Sequence, residues 1–175
     1  MLFRRGHHPH MHFRNQYALG MQMATREGFE AASPNERIFL LSRSGYVGTS
    51  RYSALWTGDN CSNYWYLAGS IPQSLNLGLS GIPFHGNDVG GFMNDTNGPL
   101  LEDWTKTCFL FPFFRIHSVH FNRPQEPWSF TKGTLESVRK FIRFRYALLP
   151  YLYQLFIEQN RDGHPITRPL LYHYP

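Results

Sequence analysis

The chain has 175 residues, 42% of them hydrophobic and 17% aromatic, and its 17 Lys and Arg against 12 Asp and Glu give a formal charge of +5, with nine His besides. That length holds one domain or a large piece of one, and the aromatic excess suits either a Phe- and Tyr-rich core or surfaces on which sugars stack. No apolar run reaches the ~18 residues of a membrane span, Cys61 and Cys108 make neither a disulfide framework nor a zinc spacing, and the dispersed basic residues (the densest group is Arg139, Lys140, Arg143 and Arg145, in a helical stretch) argue against a nucleic-acid-binding face.

Residues 1–14 read as a polar leader with His7, His8, His10 and His12. They lack the apolar stretch of a signal peptide, and no carboxylate or Cys stands at ligand spacing beside the histidines. Residues 15–28 predict a helix with Tyr17, Met21, Ala24 and Thr25 on one face and Gly28 as its stop. Ser33-Pro34-Asn35 marks a turn. The apolar run 38–41 predicts a fully buried strand, and 53–56 a second strand. A helix follows over 62–77, capped by Ser62 and kinked or shortened by Pro72. Ile82-Pro83-Phe84 predicts the next strand and 86–98 a glycine-rich loop. Helices are expected over 100–111 and, with a kink at Pro150, over 134–160. A final strand is expected over 166–172. Short strands alternating with helices define an α/β fold with a parallel sheet. About four βα units are counted, against the eight of a complete (β/α)8 TIM barrel.

Polar clusters fall where such folds carry chemistry, after the strands: Arg43, then Asp59, then Asp88. In Trp56-Thr57-Gly58-Asp59-Asn60 a carboxylate follows an aromatic side chain, whose low polarity favours the protonated form and suits a proton donor. The same Asp could instead cap the following helix. His85-Gly86-Asn87-Asp88-Val89-Gly90-Gly91-Phe92 matches no phosphate loop. It reads as a ligand-approaching loop or as a structural turn. Phe113-Phe114-Arg115-Ile116-His117 sets Arg115 and His117 on one side of an extended chain, as a pair for sugar hydroxyls or as an Arg–carboxylate pair with a packed His. No GxSxG nucleophile elbow is present, and no two acids can be named a dyad from the spacing.

The ordered run of motifs resembles glycoside hydrolase family 31. It comprises Ser42-Arg43-Ser44-Gly45-Tyr46-Val47-Gly48-Thr49-Ser50-Arg51-Tyr52, Trp56-Thr57-Gly58-Asp59-Asn60 and Gly86-Asn87-Asp88-Val89-Gly90-Gly91-Phe92. Phe113-Phe114-Arg115-Ile116-His117, Glu126-Pro127-Trp128, Arg145-Tyr146 with Leu148-Leu149-Pro150-Tyr151, and Arg168-Pro169-Leu170 complete it. The resemblance spans residues 15–175. It implies a (β/α)8 barrel that hydrolyses α-linked glycosides with retention, using two carboxylates about 5–5.5 Å apart and neither metal nor organic cofactor. It further implies Asp59 as the acid/base, and Arg43 and His117 as binders of sugar hydroxyls. Trp56 and Phe92 would be pocket-wall aromatics, Asp88 a pocket carboxylate, and Arg115 its support.

The family's nucleophile, an Asp in a Trp-x-Asp-Met-Asn-Glu segment, is absent, since only Glu27, Glu30 and Glu36 precede Asp59. Its flanking β domains are absent from these residues too. Asn87 and Cys61 depart from the usual Ala and small hydroxyl residue. The expectation is therefore roughly the last four βα units of the barrel, residues 15–175, acting on a carbohydrate within a longer chain whose N-terminal half supplies the nucleophile. The alternative is a truncated, inactive half-barrel with weak sugar binding. α-Glucosides are the expected substrates, with α-xylosides as the alternative. Alone, the open sheet edges and bare helix faces predict poor solubility.

Overall fold

The structure, a computed structural model, describes residues 2–3 and 8–175, with side chains from residue 9 onward. His7 of the leader lies outside the described residues. The chain divides into two compact units, residues 1–55 and 56–175.

In the first unit β1 (Leu2–Phe3) pairs antiparallel with β2 (His8–Pro9), and a 3-10 turn, His10–His12, leads into α1 (Arg14–Ala32). Helix α1 passes the expected stop at Gly28. Arg26 and Glu30 straddle that glycine in an i,i+4 pair at 2.6 Å, and the helix ends only as the chain approaches Pro34, whose ring disfavours helical geometry before it. The strand expected over 38–41 is instead β3 (Leu41–Ser42), half-buried rather than fully buried, with Phe39 56% exposed. Among the described residues it pairs in parallel with the start of β4 (Ala54–Trp56), with Leu41 opposite Ala54 and Ser42 opposite Leu55. The Ser53 hydroxyl and the Ala54 N–H both donate to Leu40 O. The connection between β3 and β4 carries one 3-10 turn, Thr49–Arg51, rather than an α-helix.

The second unit opens at Trp56. Helix α2 (Tyr64–Leu79) is capped by Asn63, not Ser62: the Asn63 side chain accepts from the Tyr66 N–H at 3.0 Å, while the Ser62 hydroxyl donates to Asn94 O. Pro72 lies inside α2 without ending it. The expected strand at Ile82-Pro83-Phe84 begins later, as β5 (His85–Gly86). Pro83 has no N–H for a ladder, and Ile82 O is taken by the His85 ring at 2.6 Å.

Next come β6 (Asp88–Val89), α3 (Gly98–Cys108) and β7 (Arg115–Ile116), and β6 and β7 pair in parallel with α3 as their crossover. Asn97 caps α3 by accepting from the Leu100 N–H, and Pro99 occupies its first turn, where a missing N–H costs nothing. Helix α4 (Lys132–Asp162) is capped by Thr131, stopped by the left-handed Gly163, and unbroken at Pro150. The strand expected over 166–172 is a 3-10 turn, Leu170–Tyr172: Pro165 and Pro169 remove two donors, and the Tyr172 N–H bonds back to Pro169 O.

Leu100, Leu101, Trp104 and Cys108 form the buried stripe of α3, and with Val89, Leu67, Phe111 and Val138 they make the core of this unit. Arg145 of α4 donates to the carbonyls of Phe109, Phe111 and Pro112, which ties the long helix to the segment entering β7.

Candidate active site

The register of β6 and β7 decides what faces where. Successive side chains on a strand alternate between faces. Val89 and its partner Ile116 turn to the apolar core, so Asp88 and its partner Arg115 turn the other way. Arg115 Nη2 donates to Asp88 Oδ1 at 2.8 Å. The Asp88 side chain is fully buried and that of Arg115 is 30% exposed. The guanidinium also lies over the Trp56 ring, 5.5 Å from its centroid, and over that of Phe113 at 5.4 Å, a favourable cation–π geometry. His117, two residues beyond Arg115, is half-buried and tilted against Phe92, with ring centroids 5.3 Å apart.

Burial raises the Asp88 carboxyl above its ordinary value. The hydrogen bond and charge of Arg115, then the charge of His117, pull it back down, while the charge of Asp59 pushes it up. Asp59 and His117 are thus both close enough to Asp88 for their charges to be felt there. Asp88 Oδ2 and Arg115 Nε are buried and have no hydrogen-bond partner among the described residues.

Asp59 is exposed on the loop that leaves β4. Gly58, at φ 85°, turns the chain, and the Thr57 N–H donates to Gly86 O at 3.0 Å. The backbone carbonyl of buried Asn60 accepts from the N–H groups of Phe92 and Met93 at 2.8 and 2.9 Å, so the loops after β4 and β6 are stitched together beside Asp59. Asp59 does not cap α2, since Asn63 holds that place. The loop after β7 joins the same assembly, with Val119 N–H and Asn122 Nδ2 both donating to Phe92 O. Arg43 is exposed directly after β3, in the first unit.

Within the second unit the structure therefore sets Trp56, Asp88 and Arg115 on parallel strands and Asp59, Phe92 and His117 just beyond them, the side of an α/β fold where chemistry is carried. An exposed carboxylate, an imidazole and flat aromatic rings around an anchored acid make a surface that can donate protons and bind hydroxyl groups. Sequence reasoning missed Asn60, Asn122 and Gln125 as the fasteners of these loops. His85, at the head of the glycine-rich cluster, is closed off from the site: its Nε2 meets the Ser74 hydroxyl at 2.6 Å and its Nδ1 meets Ile82 O, both deep under α2. Burial lowers the His85 pKa.

Residues 3–155 match the TIM-barrel domain of glycosyl hydrolases family 31. Alpha-glucosidase 2 of Bacillus thermoamyloliquefaciens is 45% identical over 166 residues, 95% of this chain and 21% of that protein. Neutral alpha-glucosidase C of Mus musculus is 44% identical over 167 residues, 95% of this chain and 19% of that protein. The glucosidase II alpha subunit, solved with alpha3-Glc2 bound, superposes with a TM-score of 0.94 at 36% identity, covering 99% of this chain and 19% of that one. A family 31 alpha-glucosidase from Bacteroides thetaiotaomicron superposes at 0.88 with 39% identity, covering 97% of this chain and 29% of that one. The chain spans about a fifth of the length of the relatives it matches in sequence. A match over most of the chain, together with relatives and folds that agree on it, makes this chain a member of glycosyl hydrolase family 31.

Proposed function

We propose that residues 15–175 form the acid/base half of a retaining α-glycosidase barrel, roughly its last four βα units, acting within a longer chain. The observation that carries this reading is the stitching of the post-strand loops, which gathers Asp59, His117 and the Arg115-anchored Asp88 into one electrostatic neighbourhood. Asp59 is the general acid that protonates the leaving glycosidic oxygen while a nucleophilic carboxylate, supplied from outside these residues, attacks the anomeric carbon. In the second half-reaction Asp59 takes the proton of the water that releases the sugar. Trp56 and Phe92 wall the sugar pocket, and Arg43 and His117 bind its hydroxyls. Asp88 is a pocket carboxylate supported by Arg115. The reaction calls on no metal or organic cofactor. The names of the relatives support α-glucosides as substrates, with α-xylosides as the alternative.

Asp59→Asn in the full-length enzyme tests the assignment. Turnover of an unactivated disaccharide falls by about 10³-fold, within the range of general acid catalysis, while an aryl glycoside with a good leaving group loses far less in the step that forms the glycosyl-enzyme. Equal losses on both substrates sink the role of Asp59. Parallel assays on α-glucosides and α-xylosides decide the sugar.

One observation favours a second reading, that residues 1–175 alone are inactive. The second unit exposes Trp65 at 83% and Trp128 at 72%, with Leu170 and Leu171. A groove of about 620 Å³ beside α4, lined by Phe84, Phe113, Phe114, Leu149, Tyr153 and Phe156, is almost wholly apolar. Apolar surface of this extent marks an interface awaiting a partner or the rest of a fold. Hydrolysis by the isolated 175-residue chain would overturn this second reading.

A further inference from the structure

We infer that Gln125, with Asn122 beside it, is a positioning residue that sets the Phe92 wall of the site, an inference that rests on the function proposed above. Phe92 follows two glycines in left-handed backbone, Gly90 at φ 92° and Gly91 at φ 90°. The turn is closed by the Gly91 N–H donating to Asp88 O at 3.0 Å, so its geometry governs both Asp88 and Phe92. Two walls fix it. On one side, a β-carbon at Gly91 would fall 2.5 Å from Ser62 Cα. On the other stands Gln125, only 4% exposed.

The Gln125 amide reads both glycines. Nε2 donates to Gly91 O at 2.7 Å, and Oε1 occupies the place where a β-carbon on Gly90 would stand. Reversing the amide would set two acceptors, Oε1 and Gly91 O, against each other, so the donor must face Gly91. Oε1 finds no hydrogen-bond partner among the described residues. A leucine would fill the same space, and the buried amide adds one thing to packing, a hold on the Gly91 peptide. Asn122 continues the clamp, with Nδ2 donating to Phe92 O and to Asn94 O, each at 2.9 Å. Both residues lie a few positions after His117, the ring that meets Phe92. The segment that carries the imidazole therefore also sets the orientation of the aromatic facing it. Neither Gln125 nor Asn122 need touch the sugar for this to act.

The test uses the full-length enzyme with an aryl α-glucoside, an unactivated disaccharide and a glucose-shaped iminosugar inhibitor. Gln125→Met keeps the volume and removes the donor. Per folded molecule, kcat/KM and inhibitor affinity fall together by about ten-fold, as a displaced pocket wall predicts, and Gln125→Asn restores neither because its amide stops one methylene short. A purely structural role would lower the melting temperature and the folded yield while leaving kcat, KM and inhibitor affinity unchanged per folded molecule, and that result overturns the proposal. If Gln125→Met yields no folded enzyme, Asn122→Ala decides, and wild-type inhibitor affinity there overturns the proposal as well. Asp59→Asn run alongside separates the two ideas. If it spares turnover, the proposed function fails. If it is impaired while Gln125→Met behaves as wild type, only the positioning role falls.

Discussion

On one face of the β6–β7 pair, Val89 and Ile116 pack against Trp104 and Leu101; on the other, Asp88 and Arg115 form an ion pair in the neighbourhood of Asp59 and His117. The backbone is the same for both faces, and each strand is two residues long. The difference teaches that one register sets core and site together. A slip of one residue would bury the ion pair in the apolar cluster and send Val89 to the polar side. The polar face tolerates its charge because Arg115 is partly open to water and rests on the Trp56 and Phe113 rings. The apolar face has no such outlet, so it must be filled.

The sharpest way to break the comparison is to empty the apolar face. Trp104 is fully buried and its indole N–H reaches Asn87 at 3.3 Å. Trp104→Ala costs about 3–5 kcal/mol in urea unfolding. Because β6 is anchored on that core, the sugar binding proposed for the site is lost with it. The polar face comes next. Arg115→Met leaves Asp88 buried without its cation and costs about 2–3 kcal/mol, and the double variant with Asp88→Asn costs clearly less than the sum of the singles. Strict additivity there would mean the two side chains do not act as a pair.

The smallest effect belongs to His85, in β5 under α2. His85 is fully buried on Ser74, and burial holds its pKa below the ordinary histidine value. Above about pH 6.5 it is neutral whether the chain is folded or not, and its contribution to stability is complete. As pH falls below that point the unfolded chain takes up a proton that the folded one refuses, so stability declines toward the lower folded pKa. Melting temperatures between pH 7.5 and pH 5 should show this loss, and His85→Gln should flatten that part of the curve. Ser74→Ala should cost about 1 kcal/mol at neutral pH.

The helices were legible because their signals are local. The Leu100, Leu101, Trp104 and Cys108 stripe sits at helical spacing, and α4 ends within two residues of the expected 160, stopped by Gly163. The strands were less so. Two-residue ladders leave almost no periodicity to read, and their limits come from partners far along the chain, as Leu40 O bonding to Ser53 and Ala54 illustrates. Two of the misplaced strands had a proline at or beside them, Pro83 in one case and Pro165 with Pro169 in the other. In the site, Asp59, Asp88 and His117 stood out because of their motif neighbours. Spacing alone left Arg115 with an unnamed carboxylate, since sequence does not say which acid an arginine finds 27 residues away, and only the family resemblance named Asp88 as the acid it supports. Nothing in the residues around Gln125 announces an amide folded onto two glycines.

The burial of Cys108 in the α3 core has a consequence for chemistry done on the folded protein from outside. Its thiol is fully enclosed and pushed up to about 12, first by burial, so it carries almost no thiolate at neutral pH and offers no path to an alkylating reagent. Cys61 is half-buried, two residues beyond Asp59, on the loop that bridges to Met93. The chain therefore has two sulfhydryls but one handle, and a dye or spin label attached there would report from the loop that holds Asp59.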